Sequence, residues 1–109
     1  MSENAFTWPG QRQDDPGHCR LAEFLVMDVQ QSPDWTKDLL DKTSLVQSGS
    51  LDKWERVGNA FCLSLSSEGA KIEDLVDENS SAKMITLAEF SQAVRTWLQH
   101  IERLEQFSP

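Results

Sequence analysis

Three groups of residues have types suited to chemistry: the adjacent His18-Cys19, the lone His100, and the carboxylate pairs Glu73-Asp74 and Asp77-Glu78. A histidine beside a cysteine suggests a thiolate with its base, but neighbours in sequence need not face each other. His100 stands beside apolar Ile101 in a helical pattern, where a lone histidine is far more often a rim residue than a base. The carboxylate pairs could hold a divalent ion, yet no glycine sets a calcium loop around them. An ordinary solvated acidic edge is the stronger reading. No Gly-rich phosphate loop and no His-x-x-x-His pair occurs. The residues therefore assign no catalytic group, metal or cofactor, and they point away from an enzyme with a small-molecule substrate.

What the chain has in abundance is negative charge. Ten Lys and Arg stand against eighteen Asp and Glu in 109 residues, a formal charge of −8. Such a surface repels phosphate backbones and anionic membranes, so nucleic acid and membrane are poor partners and a basic protein is a good one. An acidic surface is also simply a soluble one. Two zones concentrate the charge. Glu23, Asp28, Asp34, Asp38 and Asp41 accompany one Lys37; Glu68, Glu73, Asp74, Asp77 and Glu78 accompany one Lys71; each zone carries −4. Asp34, Asp38 and Asp41 fall at i, i+4 and i+7, stacking like charges that cost about 0.2–0.5 kcal/mol per pair. An acid at a helix N-terminus accounts for Asp34 but not for Asp38 or Asp41. Asp28 is a second oddity, since it shares a stripe with Leu21 and Leu25. It sits at a rim, or bonds inward to an amide or a Trp N–H. Trp35 and Trp54 flank the acidic zones as core residues or interface anchors, core being favoured, while Trp97 reads as core.

The elements that must position these groups follow from periodicity. Residues 1–19 are polar and rich in breakers (Pro9-Gly10, Asp14-Asp15, Pro16-Gly17), with Ala5 to Trp8 as one candidate strand and Trp8 the freest tryptophan. From Arg20 onward the chain reads as a single domain, residues 20–109. Leu21, Phe24, Leu25 and Val29 form a helical stripe that Ser32-Pro33 interrupts and restarts, Ser32 as cap and Pro33 at the first helical position. The second helix carries Trp35, Leu39, Leu40 and Val46, and stops near Gly49. Three short strands follow: Leu51 to Val57, then alternating Phe61, Leu63 and Leu65, then Ala70 toward Leu75. Gly58-Asn59 is expected as a type II′ turn, and Ser67-Glu68-Gly69 as a three-residue loop with Gly69 left-handed. Residues 77–83 read as a polar loop. Thr86-Leu87-Ala88-Glu89 is a capping box, Ile85 and Phe90 a staple, and Leu87, Phe90, Val94, Trp97, Leu98 and Ile101 line one face of the last helix. The expectation is an α+β domain, α-α-β-β-β-α, with helices over one face of a small antiparallel meander.

Cys19 and Cys62 sit at no metal or redox spacing; a disulfide stays open, though Cys62 in mid-strand packs well as a reduced thiol. Met1-Ser2-Glu3-Asn4 has neither the basic region nor the apolar stretch of a signal peptide, and no apolar run nears membrane-spanning length. A reduced, cytoplasmic protein is expected.

The pattern W-E-x-x-G-N-A-x-x-L-x-L-x-x-x-G-x-x-I-E-D-L from Trp54 to Leu75, followed by the capped T-L-x-E-F…W-L helix, resembles small bacterial immunity proteins of contact-dependent growth inhibition and other polymorphic toxin systems. The resemblance runs from about Cys19 to Ile101, and more distantly extends to a family of uncharacterised enterobacterial proteins. It implies a cytoplasmic, non-enzymatic protein that binds one cognate toxin domain, commonly a nuclease, and blocks it. Its motif residues are structural, so the contact set is inferred from charge instead: Asp34, Trp35, Asp38 and Asp41 on the second helix, with Glu68, Glu73, Asp74, Asp77 and Glu78. A cytosolic adaptor of the same fold is the alternative, and an enzyme the third reading.

Overall fold

Asp15 starts the first helix by accepting the amide N–H of Gly17 at 2.8 Å, with Pro16 at the first helical position. In the computed structural model, which describes residues 6–106 except 13, 78 and 80 and only the backbone of 104–106, α1 runs Pro16–Phe24. It begins five residues before Leu21, where the apolar stripe starts, because the cap and the proline set its start. The stripe then continues through a single π-helical turn, Leu25–Val29, closed by the Gln30 amide donating to the Leu25 carbonyl at 2.8 Å. Ser32 caps α2 (Pro33–Gln47) as expected, its hydroxyl accepting the Trp35 amide at 3.2 Å. Gly49, at φ +82°, ends α2: the Ser50 and Gly49 amides donate to the Leu45 and Val46 carbonyls.

Four strands follow, not three: β1 (Lys53–Val57), β2 (Phe61–Ser66), β3 (Gly69–Asp74) and β4 (Lys83–Ile85), antiparallel in the order β1-β2-β3-β4. The α+β class stands. β4 lies at the end of the expected polar loop and is only three residues long, too short for alternation to announce it. Register puts Leu63 opposite Ile72 and Leu65 opposite Ala70, which in turn faces Ile85, so one face is apolar and buried. Ser64, Lys71 and Glu73 take the other face, on which Cys62 is also set. Helix α1 packs on β3 and β4, and α2 on β1 and β2. The last helix, α3 (Leu87–Gln106), packs along α2 and over β3, placing Phe90, Val94, Trp97 and Ile101 in the core with Leu21, Phe24 and Leu39.

Both hairpin turns differ from the sequence expectation by one residue. Gly58 donates to the Phe61 carbonyl at 2.8 Å, so the two-residue loop is Asn59-Ala60, and neither residue has positive φ. The second loop is Ser67-Glu68, with Gly69 at φ +140° already paired with Ser66 in the sheet.

The N-terminal segment belongs to the core. Trp8 is 5% exposed, and Phe6 packs edge-on against Trp97 with ring centroids 4.9 Å apart. Pro9-Gly10 makes a turn closed by the Gln11 amide on the Trp8 carbonyl at 3.0 Å, with Gly10 at φ +89°. That turn folds the two aromatics back onto α1 and α3. Trp8 is therefore not the free tryptophan that its breaker-rich surroundings suggest. Of the candidate strand Ala5–Trp8, Ala5 lies outside the described residues and 6–8 are not paired.

Candidate functional site

His18 is buried at 1% exposure, and its Nδ1 accepts the Arg12 amide at 2.9 Å, which leaves the proton on Nε2. That Nε2 lies 3.4 Å from Glu89 Oε2 without forming a hydrogen bond. Arg12 closes the cluster through Asp15 at 2.9 Å and Glu89 at 3.3 Å. Both imidazole nitrogens thus face protein groups, the Arg12 amide and the Glu89 carboxylate, and the cluster ties the N-terminal segment to the starts of α1 and α3. Cys19 is exposed on α1, whereas Cys62 is buried on β2, and the two are not joined. His100 is half-buried, its ring 5.3 Å from Trp97 and 5.6 Å from Phe6, in keeping with a rim residue. No group of three or more His, Cys, Asp or Glu among the described residues could hold a metal ion.

The carboxylates divide into those the fold uses and those it does not. Asp38 accepts from Lys42 Nζ at 2.7 Å, and Asp41 lies 4.0 Å from the same nitrogen. Lys42, one residue beyond the zone counted in the sequence, offsets the stacked charge, and the Asp38 hydrogen bond raises its own pKa. Trp35 is half-buried between Trp54, at 6.2 Å, and the Arg56 guanidinium, 3.7 Å from its ring. It is a packing residue with one edge at the surface. Asp34 is exposed at the start of α2.

The second zone is not one patch. Glu68 occupies the β2–β3 turn, while Glu73, Asp74 and Asp77 lie at the far end of β3, about 17 Å away at ~3.4 Å per residue. Asp74 accepts the Val76 and Asp77 amides at 2.8 and 3.0 Å. The Asp77 and Val76 bonds, aided by Arg20, hold its carboxyl below the usual range against the cost of desolvation. Glu78 lies outside the described residues. Helix α2 and Glu73 are on opposite sides of the sheet, so the two acidic zones do not merge into one surface.

The structure brings together something the spacing of charges did not. Asp28 reaches from the π-turn to the β1–β2 loop, its two oxygens accepting the Ala60 and Phe61 amides at 2.9 and 3.0 Å. The Leu75 amide donates to the Ala60 carbonyl at 2.8 Å. Three segments therefore meet at Ala60: the π-turn, the first hairpin loop and the end of β3. Each carries exposed apolar side chains, Val26 and Met27 on the first, Val57 before the second, Leu75 and Val76 on the third. The one signal for this junction in the sequence was Asp28 itself, a carboxylate within an apolar stripe.

The open face of the sheet holds a shallow concavity of about 460 Å³ between Lys53, Glu55, Ser64, Glu68, Lys71 and Met84. Its mixed charge and open rim lack the enclosing apolar walls usual for a small-molecule site. No described helix is long and apolar enough to cross a membrane. Compared with known protein families, with curated proteins and with solved structures, the chain finds no match in any of the three.

Proposed function

We propose that this protein binds and neutralises a cognate bacterial toxin domain, of the nuclease kind, through its acidic surface. The observation that carries this reading is a surplus of carboxylates the fold does not employ. Asp15, Asp28, Asp74 and Glu89 each accept hydrogen bonds that hold helices or turns. The side-chain carboxylates of Asp34, Glu68 and Glu73 are exposed and make no hydrogen bond or ion pair among the described residues. With a net charge of −8, that surplus is a field a basic, phosphate-binding protein would be drawn to, with fast, steered association. The resemblance of the Trp54–Leu75 pattern to immunity proteins gives the partner its class. The contacts assigned to it are Asp34, Trp35, Asp38 and Asp41 on α2, with Glu68, Glu73, Asp74, Asp77 and Glu78 in the second zone. Such a protein would work in the cytoplasm, without cofactor or catalytic group.

The test is a pull-down of tagged protein from its native strain, with mass spectrometry, at low and moderate salt. One basic toxin domain recovered in near-equal amount supports the proposal, and Asp38→Lys with Asp41→Lys should then slow association. Recovery of housekeeping proteins alone, while the toxin is expressed, would discard it in favour of an adaptor.

A further inference from the structure

We infer that the junction at Ala60 is a docking surface for a basic, amphipathic protein segment, and that its apolar centre is Met27, Val57, Leu75 and Val76. This inference adds to the toxin-binding proposal an apolar contact beside Glu73 and Asp77, apart from the α2 carboxylates, and it rests on that reading only for the partner's identity.

Five large apolar residues are exposed on the three segments that meet there: Val76 at 77%, Val57 at 67%, Val26 and Met27 at 50% and Leu75 at 45%. Single exposed apolar residues are ordinary, but these five lie on three segments that Asp28 and the Leu75–Ala60 bond tie together. Val57 stands on the open sheet face beside Cys62 and Glu73, and Val26 and Met27 on the helical side, so the surface wraps this end of the sheet. The backbone beneath them is unusual as well. Val26 and Met27 belong to the π-turn, and Gln30, which closes it, has φ +57° and ψ −150°, a conformation that side chains rarely adopt. A π-turn costs helix stability and recurs at functional sites. Here it serves two ends, sending Asp28 inward to the hairpin loop and leaving Val26 and Met27 outward.

Charge selects the occupant. Glu23 precedes the π-turn, and Glu73 and Asp77 flank Leu75 and Val76, all three exposed. The cations near these segments are engaged elsewhere: Arg20 is buried and donates to the Ile72 and Ser81 carbonyls, and Arg56, beside Val57, faces the other side of the sheet and stacks on Trp35 at 3.7 Å. Lys71 lines the open-face concavity with Glu55 and Glu68. An apolar centre with an anionic rim fits a segment with apolar and basic side chains on one face. A second copy would bring the same carboxylates against themselves.

The test uses the full 15N-labelled chain and three probes: a synthetic amphipathic helix of leucine and lysine, its leucine and glutamate counterpart, and polylysine. The leucine–lysine helix should shift the amides of 26–28, 57–61 and 75–77 saturably, and the glutamate helix should not. Val76→Ser and Met27→Ser should each weaken binding by about tenfold, as for a truncated anchor, with unchanged circular dichroism. Equal shifts from polylysine would reduce the effect to bulk charge and overturn the inference. So would shifts centred on Asp34, Asp38 and Asp41, or concentration-dependent self-association through the same amides. Peptide docking at the junction with no toxin in the pull-down would keep the surface and discard the toxin. A recovered toxin whose contacts map to α2 would do the reverse.

Discussion

The carboxylate of Asp28 occupies the space that a side chain at position 58 would need. A Cβ built on Gly58 overlaps Asp28 Oδ2, while Gly58 itself has no positive φ. Gly58 is thus required by its neighbour, not by its turn. A two-residue hairpin loop without positive φ matches strand twist poorly, and Asp28 compensates by gripping the Ala60 and Phe61 amides.

Removing either partner should be costly, and removing both should not cost the sum. Asp28→Ala leaves two loop amides without their acceptor and is expected to destabilise by about 2–3 kcal/mol. Gly58→Ala forces the carboxylate aside, at about 1–3 kcal/mol. In the Asp28→Ala background the added methyl meets little, so the double mutant should show a coupling of about 1 kcal/mol or more. Urea denaturation of the four proteins measures this directly. Additive costs would mean that the carboxylate does not sit against Gly58.

Gln30 carries strain that a different anchor holds in place. Its carbonyl accepts Trp97 Nε1–H at 2.8 Å, joining the π-turn to α3. Gln30→Gly should relieve the positive φ and stabilise by about 1 kcal/mol, raising Tm by a few degrees. Trp97→Phe keeps most of the ring but loses the donor, and should cost about 1 kcal/mol or more. Opposite signs in thermal melts are expected; a loss of stability in Gln30→Gly would show that the side-chain bond to the Met27 carbonyl matters more.

Features set by local chemistry were legible in the sequence, and features set across the chain were not. The Thr86–Glu89 capping box, the Ser32 cap with Pro33 and the Gly49 helix end depend on residues within one turn, and all are present. The first hairpin loop slid by one residue because Asp28, 32 residues from Ala60, shapes it. Trp8 looked free because breakers surround it, yet Pro9-Gly10 is what folds it inward. The candidate site followed the same division. The i, i+4, i+7 spacing of Asp34, Asp38 and Asp41 was readable, whereas Lys42's hold on Asp38, the separation of Glu68 from Glu73 and the junction at Ala60 required three dimensions.

The two thiols should separate by reactivity. Cys19 is exposed, whereas Cys62 is buried, and desolvation followed by Glu55 and Glu73 pushes its thiol pKa up against Lys71 and Ser64. Titration with a chromogenic disulfide at mildly alkaline pH should give one fast phase and one slower by about tenfold or more, since the thiolate is the reactive form. Cys62→Ala should abolish only the slow phase, and denaturant should merge the two. Equal rates in the native protein would contradict the burial of β2's outer face.

Three carboxyls link stability to acid. Arg12, with the Gly17 and His18 amides, holds Asp15 below its ordinary value of 3.8, and the loop amides do so for Asp74. For Glu89, desolvation opposes the shift, but Thr86, His18 and Arg12 together bring it below 4.5. A carboxyl with a depressed folded pKa contributes stability that is complete above its unfolded pKa and is lost as pH falls through the folded value. Stability should therefore hold from neutral pH to about 4.5 and decline below it. Relief of the net negative charge acts in the other direction, so the wild-type curve alone does not isolate these groups. Asp15→Asn and Thr86→Ala separate the two effects. Each should lower Tm at pH 7 and flatten the fall between pH 5 and pH 3, because the proton-linked contact is already gone. Acid slopes parallel to wild type in both variants would place the linkage on other carboxylates.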